Sequence, residues 1–327
     1  MTYSNMMSMQ FGSQGRQNIL RGTHTNISAR KRASHVAAYR TATTANGMLT
    51  AEQVAQFQRD GFLVLERFAS LEDCAKLRRR MDTLLHDFDP KTISIFTTKD
   101  QAKKTDNYFL NSASDVGFFF EDKAFDDDGK LRQAKELSIN KVGHALHDLD
   151  PIFREFSRSP AVYSVLRSLG YKRPLPVQSM YIFKQPSIGG EVMPHQDSTF
   201  IHTTPLSCIG LWWALEDATK DNGCLWAIPG IHTEGLKRRF LKAPDGTVHF
   251  DVPQPLYDMS AFVPLECPAG TLVLLHGENV HYSAENTSPI SRHSYSMHLV
   301  ESGNGVTWSP DNWAQRAPDN PWQPLFG

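Results

Sequence analysis

The sequence predicts a mainly β protein, a jelly-roll core with helices packed on one side. Three observations lead there. From about Pro174 short apolar runs recur with period two, in "VQSMYIFK", "SCIGLWWALEDA", "GCLWAIPG", "AFVPLEC", "GTLVLLHG" and "RHSYSMHLV". Pro, Gly and Asn-Gly turns separate these runs, the pattern of many short strands in a sandwich or barrel. Before Pro174 the apolar spacing is helical instead, so the N-terminal half contributes the helices. The chain has 327 residues, 40% of them apolar and 21% charged, which is ample for a buried core.

Residues 1–48 stand apart. They contain no Asp or Glu and carry Arg16, Arg21, Arg30, Lys31, Arg32 and Arg40 among many Ser, Thr, Asn and Met. Low hydrophobicity with charge of one sign predicts a disordered basic tail. Its composition fits a mitochondrial transit peptide and equally an untargeted tail. The folded unit, residues 49–327, is expected to begin at "LTAEQVAQFQRDGFLVLERF". Thr50 and Gln53 form a capping-box pattern, Val54 and Phe57 give the helix its buried face, Gly61 ends it, and Phe62 to Leu65 reads as a strand. In "SLEDCAKLRRRMDTLLHDF" Cys74, Leu77, Met81, Leu84, Leu85 and Phe88 recur at helical spacing behind Ser70 as N-cap. The Arg78-Arg79-Arg80 run reads as a solvated face. A third helical region is expected around "SINKVGHALHDLDP" and on to Leu169, with Ser159-Pro160 as N-cap and N1 and Gly170 past its end. His144 and His147 would then share one helix face as structural histidines, for they lack the carboxylate of an HExxH zinc motif.

Bulk properties exclude several functions. A net charge of −1 gives no attraction for nucleic acid or anionic lipid. There is no run of about 18 apolar residues, the length that spans a bilayer. Cys74, Cys208, Cys224 and Cys267 are far apart without CxxC or zinc-like spacing, and read as free thiols in a reducing compartment. The expected location is cytoplasmic, with the mitochondrion as the alternative that the basic N-terminus allows.

The chemistry is expected in "GGEVMPHQDSTF". Residues i and i+2 of a strand share a face, so His195 and Asp197 can aim at one point. His249–Asp251, His232–Glu234 and His276–Glu278 are similar pairs, and the residues C-terminal to each pair decide among them. In "GTLVLLHGENVHYSAENTSPISRHSYSMHLV" His281 supplies a second imidazole on another strand. His195, Asp197 and His281 together make a facial triad of the kind that leaves positions on Fe(II) open. Ser283 shares the face of His281. Beyond it Arg292, Ser294, Ser296 and His298 form one polar row, with Tyr295, Met297 and Leu299 opposite. A guanidinium beside a hydroxyl suits a carboxylate through two parallel hydrogen bonds. Arg238 and Arg239 in "EGLKRRF" either meet an anionic substrate at the mouth or, as is more usual, are solvated loop charges. Trp308, Trp313 and Trp322 are expected to pack the terminal segment over the barrel.

The chain resembles the phytanoyl-CoA dioxygenase family from about Leu49 to its end. The likeness lies in "SINKVGHALH", "VQSMYIFKQP", "GGEVMPHQDSTF", "NGCLWAIPG", "LVLLHGENVHYS" and "TWSPDNW". The resemblance implies a double-stranded β-helix of cupin type that uses Fe(II), 2-oxoglutarate and O2 on a small-molecule substrate. It implies iron at His195, Asp197 and His281, and 2-oxoglutarate against Lys141, Met180, Gln196, Trp212, Ser283 and Arg292. Trp213, beside Trp212, is expected to point away. Related iron halogenases lack the carboxylate, so Asp197 implies hydroxylation with release of succinate and CO2. Two rival readings share the triad: a non-catalytic sensor of metal and 2-oxoglutarate, and a hydrolase or isomerase using metal-activated water.

Overall fold

The computed structural model describes residues 39–42, 47–91 and 93–327. The expectation of a disordered tail falls on residues 1–38 and 43–46, outside that range. Arg40–Ala42 departs from it: these residues form a short parallel strand beside Phe62–Glu66, with Arg40 opposite Val64.

Two local signals set the first helices. Thr50 caps the helix Ala51–Asp60 through a reciprocal capping box with Gln53, and Gly61 ends it in the left-handed region at φ 74°. A Cβ at Gly61 would also lie 2.4 Å from His232 Nδ1. Ser70 caps Leu71–Asp87 with Asp73 in the reciprocal role. Its Cys74, Leu77, Met81 and Leu85 are buried, as the spacing requires. The arginine run is only partly solvated: Arg78 pairs with Glu216 and Arg80 with Asp150. Helix Pro160–Ser168 begins after Ser159 as expected.

The segment "SINKVGH" departs from expectation. Ile139–His144 is a strand, buried at every position, and the helix Leu146–Leu149 follows it. His144 and His147 therefore lie on different elements. A strand covered on both faces loses alternation, and its polar Asn140, Lys141 and His144 hide the apolar signal.

Nine strands form one sheet. Its order is Arg40–Ala42, Phe62–Glu66, Leu272–His276, Ile209–Ala214, Ser294–Glu301, Pro174–Ile182, Ile139–His144, Val116–Glu121 and Ile95–Phe96. Four strands form a second sheet, in the order Val263–Leu265, Leu225–Ala227, His281–Ser283 and Val192–His195. The alternation of the large sheet sorts its side chains into two cores. Leu63, Leu65, Leu211, Trp213, Leu272, Leu274, Tyr295 and Met297 pack with the helix residues Leu77, Met81, Phe153 and Val165. Phe62, Val64, Trp212, Val273 and Leu275 pack instead against Leu225, Ala227 and Leu265 of the small sheet. Two sheets face to face with helices behind one of them is the jelly roll that the period-two runs predict. The cysteines are free and buried. No described helix is long and apolar enough to cross a membrane.

Candidate metal and co-substrate site

Between the two sheets the apolar packing gives way to a cavity. The small sheet brings His195 and His281 directly opposite each other across paired strands, with ring centroids 4.3 Å apart. Asp197 sits at the start of a single turn, Asp197–Thr199, just past the end of its strand. That turn directs its carboxylate back between the rings. Oδ1 lies 3.6 Å from His195 Nε2 and 3.7 Å from His281 Nε2. One ligand atom from each of the three residues falls within 4.8 Å of the others.

The tautomers follow from the outer hydrogen bonds. His195 Nδ1 lies 2.8 Å from Met193 O, and His281 Nδ1 3.3 Å from Asn279 O. A carbonyl only accepts, so both Nδ1 atoms carry the proton and both Nε2 lone pairs face inward. Burial pushes His281 down to about 4, which keeps its imidazole neutral. Burial also opposes the charged form of Asp197, yet its carboxyl is held well below the usual carboxylate range, above all by His298, whose Nε2 lies 3.3 Å from Oδ1. Asp197 Oδ2 is buried with no hydrogen-bond partner. Two inward lone pairs and an orphaned carboxylate oxygen fit a divalent metal ion. Gly210 makes room for that oxygen, since a Cβ there would lie 2.7 Å from Oδ2.

Arg292 occupies the other end of the cavity. It is 1% exposed. It donates from Nε to Gly223 O and from a terminal nitrogen to Ser294 Oγ, with Ser283 Oγ 3.5 Å from the other. No carboxylate of the described residues pairs with it, and burial pushes it down to about 10. A buried guanidinium without an anion is costly, and the missing partner matches the carboxylate of a keto acid.

Most of the remaining candidate residues line the same cavity: Lys141, Met180, Trp212 and Ser283. Lys141 Nζ lies 3.1 Å from His144 Nε2 and 3.4 Å from the centre of the Phe96 ring. Ser112 Oγ donates to Phe109 O, so it accepts from His144 Nδ1, and His144 Nε2 is left to accept from Lys141. Gln196 is a correction. It is not among the lining residues; its amide donates to Gly235 O and Glu278 O and accepts from Lys237 N. Strand alternation turns it away from its neighbours His195 and Asp197, and it ties two loops together instead.

The rival pairs resolve physically. His232 bonds to Gln58 O. His249 is exposed on the hairpin Phe240–Lys242/Val248–Phe250, and Asp251 accepts from Arg239 N. His276 lies beside Glu278 and the ring of His232. Trp213 points away from the cavity and stacks on Tyr295.

Sequence reasoning missed several lining residues: Phe96, Phe109, Phe200 and Trp313 among the aromatics, and the basic Lys184. Most sit in connecting segments with no period to read. Arg238 also lines the cavity, contrary to the reading of a solvated charge, whereas Arg239 pairs with Asp311. Trp308 and Trp322 pack together, ring centroids 4.9 Å apart, and Trp313 lies against Phe109 at 4.8 Å.

A double-stranded β-helix with two histidines and one aspartate converging between its sheets, and a buried arginine behind them, together with the family match and relatives that follow, makes the chain an iron- and 2-oxoglutarate-dependent dioxygenase. The sequence profile described as phytanoyl-CoA dioxygenase matches residues 57–294, and the chain belongs to that family. A phytanoyl-CoA dioxygenase of Arabidopsis thaliana is 56% identical over 271 residues, covering 83% of this chain and 95% of the relative. Phytanoyl-CoA dioxygenase domain-containing protein 1 of Bos taurus is 48% identical over 288 residues, covering 85% and 99%. Among solved structures, EctD from S. alaskensis with 2-oxoglutarate and 5-hydroxyectoine is similar at TM-score 0.56 and 19% identity, over 87% of this chain and 89% of that one. The non-heme alpha ketoglutarate dependent carbocyclase SnoK matches at TM-score 0.56 and 18% identity, over 87% and 96%.

Proposed function

We propose that this chain hydroxylates a small organic or acyl substrate, consuming 2-oxoglutarate and O2 and releasing succinate and CO2. His195, Asp197 and His281 would hold ferrous iron. Bound iron supplies the O2 activation that couples decarboxylation of the keto acid to oxidation of a substrate C–H bond. The protein's residues orient and shield. Arg292 takes the far carboxylate of 2-oxoglutarate with Ser283 alongside. Trp212, whose ring centre lies 5.2 Å from the Arg292 guanidinium, and Met180 close the wall around the chain of the keto acid. Lys141, held well below the usual lysine range by burial, adds an amine donor to that wall. Asp197 fills the position through which a carboxylate-free site would take up another ligand, and this favours hydroxylation.

One observation carries this reading. The orphaned metal-ligand group and the orphaned guanidinium open into the same cavity, as a chelating keto acid with a distal carboxylate needs. The test is succinate formation from 2-oxoglutarate by protein given Fe(II) in air, with Asp197→Ala as control. Metal-dependent succinate that the substitution removes supports the assignment. Binding of metal and 2-oxoglutarate without succinate makes the chain a sensor. Activity indifferent to 2-oxoglutarate points to metal-activated water instead.

A further inference from the structure

Among the described residues the lining of the cavity carries four basic side chains, Lys141, Lys184, Arg238 and Arg292, and a single carboxylate, Asp197. Burial holds Lys141 well below the usual lysine range and pushes Lys184 down to about 7, which leaves the two arginines as the cations of the lining. Three of the four basic groups have a role. Arg292 faces the keto acid, Lys141 donates to His144, and Lys184 donates to Gly190 O. Arg238 is left over. Its neighbour Arg239 donates to Asp311 and Ser309, while Arg238 makes no hydrogen bond or ion pair with any described residue. Its guanidinium carbon lies 3.6 Å from the centre of the Phe250 ring, a cation–π contact that fixes the fork. It is half-buried, and that burial lowers its pKa, with Tyr257 and Asp251 only partly offsetting it from a distance.

Aromatic rings connect this arginine to the metal-ligand group. Phe250 lies 6.1 Å from Phe200, and Phe200 lies 6.0 Å from His195. Phe96, Phe109 and Trp313 continue the apolar wall. The arrangement has a cationic fork at one end, a reaction centre at the other and rings between.

We propose that the prime substrate is an organic acid whose apolar body lies along this wall and whose carboxylate is held by Arg238. The inference rests on the oxygenase reading above. The planar fork accepts a carboxylate through two parallel hydrogen bonds. Such a ligand supplies the anion that the half-buried guanidinium lacks. Arg238 is thus a specificity residue that holds the far end of the substrate and leaves the reacting carbon free to meet the metal.

Calorimetry on the full chain tests it, under anaerobic conditions with Fe(II) and saturating 2-oxoglutarate so that Arg292 is engaged. The probes are octanoate, octanamide, octylamine and octanoyl-CoA. Octanoate is expected to bind at least roughly tenfold tighter than octanamide, the ratio that a charge-assisted pair supports. Arg238→Gln should erase that ratio, Arg238→Glu should turn the preference toward octylamine, and Arg239→Gln should keep the acid preference. Equal affinity for acid and amide, or a preference that survives Arg238→Gln, overturns the proposal. So does octanoyl-CoA binding tighter than octanoate through Arg238, which would assign the fork to a phosphate. A separate titration of 2-oxoglutarate with and without Fe(II) reports on the oxygenase reading, so a protein that takes up the keto acid yet ignores the probe's charge sinks the Arg238 assignment alone.

Discussion

The two faces of the large sheet come from the same strands and have opposite characters. Toward the helices, Ile209–Ala214 presents Leu211 and Trp213, and Ser294–Glu301 presents Tyr295, Met297 and Leu299. Toward the cavity, the intervening positions of the same strands are Gly210, Trp212, Ser296 and His298. The helix face is dry and closely packed, with Trp213 and Tyr295 stacked 5.6 Å apart. On the cavity side that face supplies the unpartnered His298 Nδ1, and around the same cavity stand the Asp197 carboxylate, carried just past a strand of the small sheet, and the Arg292 guanidinium, just before Ser294–Glu301, both without full partners. One face holds the fold together, and the other gives up part of that stability to groups that wait for ligands.

Substitutions on the two faces should separate activity from stability. Asp197→Ala should show the largest effect, with 2-oxoglutarate turnover at background and a thermal midpoint at or above that of wild type. Trp213→Ala should do the reverse. It should cost about 3–5 kcal/mol of stability, the range for large buried aromatics, while protein that remains folded keeps the wild-type KM for 2-oxoglutarate; denaturant unfolding and initial rates measure both. Arg292→Gln should raise that KM by roughly tenfold or more with little loss of stability, and a smaller change would weaken the anchor assignment.

A further contrast is set by pH. His147, buried beside Ser179, is pushed down to about 4 by burial, against an ordinary 6.5. The unfolded chain therefore takes up a proton before the folded one does. Stability from this site is fully present above about 6.5 and is lost as pH falls toward about 4. His147→Gln should flatten the fall in thermal midpoint over that window, and an unchanged slope would remove His147 from the account. The smallest effect is expected at the rim of the helix layer, where Thr50→Ala should cost about 1 kcal/mol as a lost N-cap and leave kinetics untouched.

How far the sequence could be read depends on the same physics. The Thr50 and Ser70 caps were legible because each is made within four residues of chain. His195, Asp197 and His281 were legible because period two fixes which side chains share a face, and the polar row from Arg292 to His298 for the same reason. Ile139–His144 was not, because a strand buried on both sides has no polar face to mark it. Lys141, Met180 and Trp212 look like core or chance residues until the fold places them, and only the family resemblance singled them out. Gln196 shows the limit of that route, since its side chain is taken up by three backbone groups outside the cavity. Arg238 was legible only as one of two alternatives, at the mouth or solvated, and Trp313 only as packing over the barrel, because the path of their segments over the cavity is set by tertiary packing.

The most direct test of the central claim is a crystal structure of the protein grown anaerobically with Fe(II) and 2-oxoglutarate. The account predicts one ion with His195 Nε2, an Asp197 oxygen and His281 Nε2 each at about 2.0–2.2 Å, typical of imidazole and carboxylate ligands, and the keto acid's far carboxylate on Arg292. An ion bound elsewhere, or any of those three side chains turned away from it, would contradict the account.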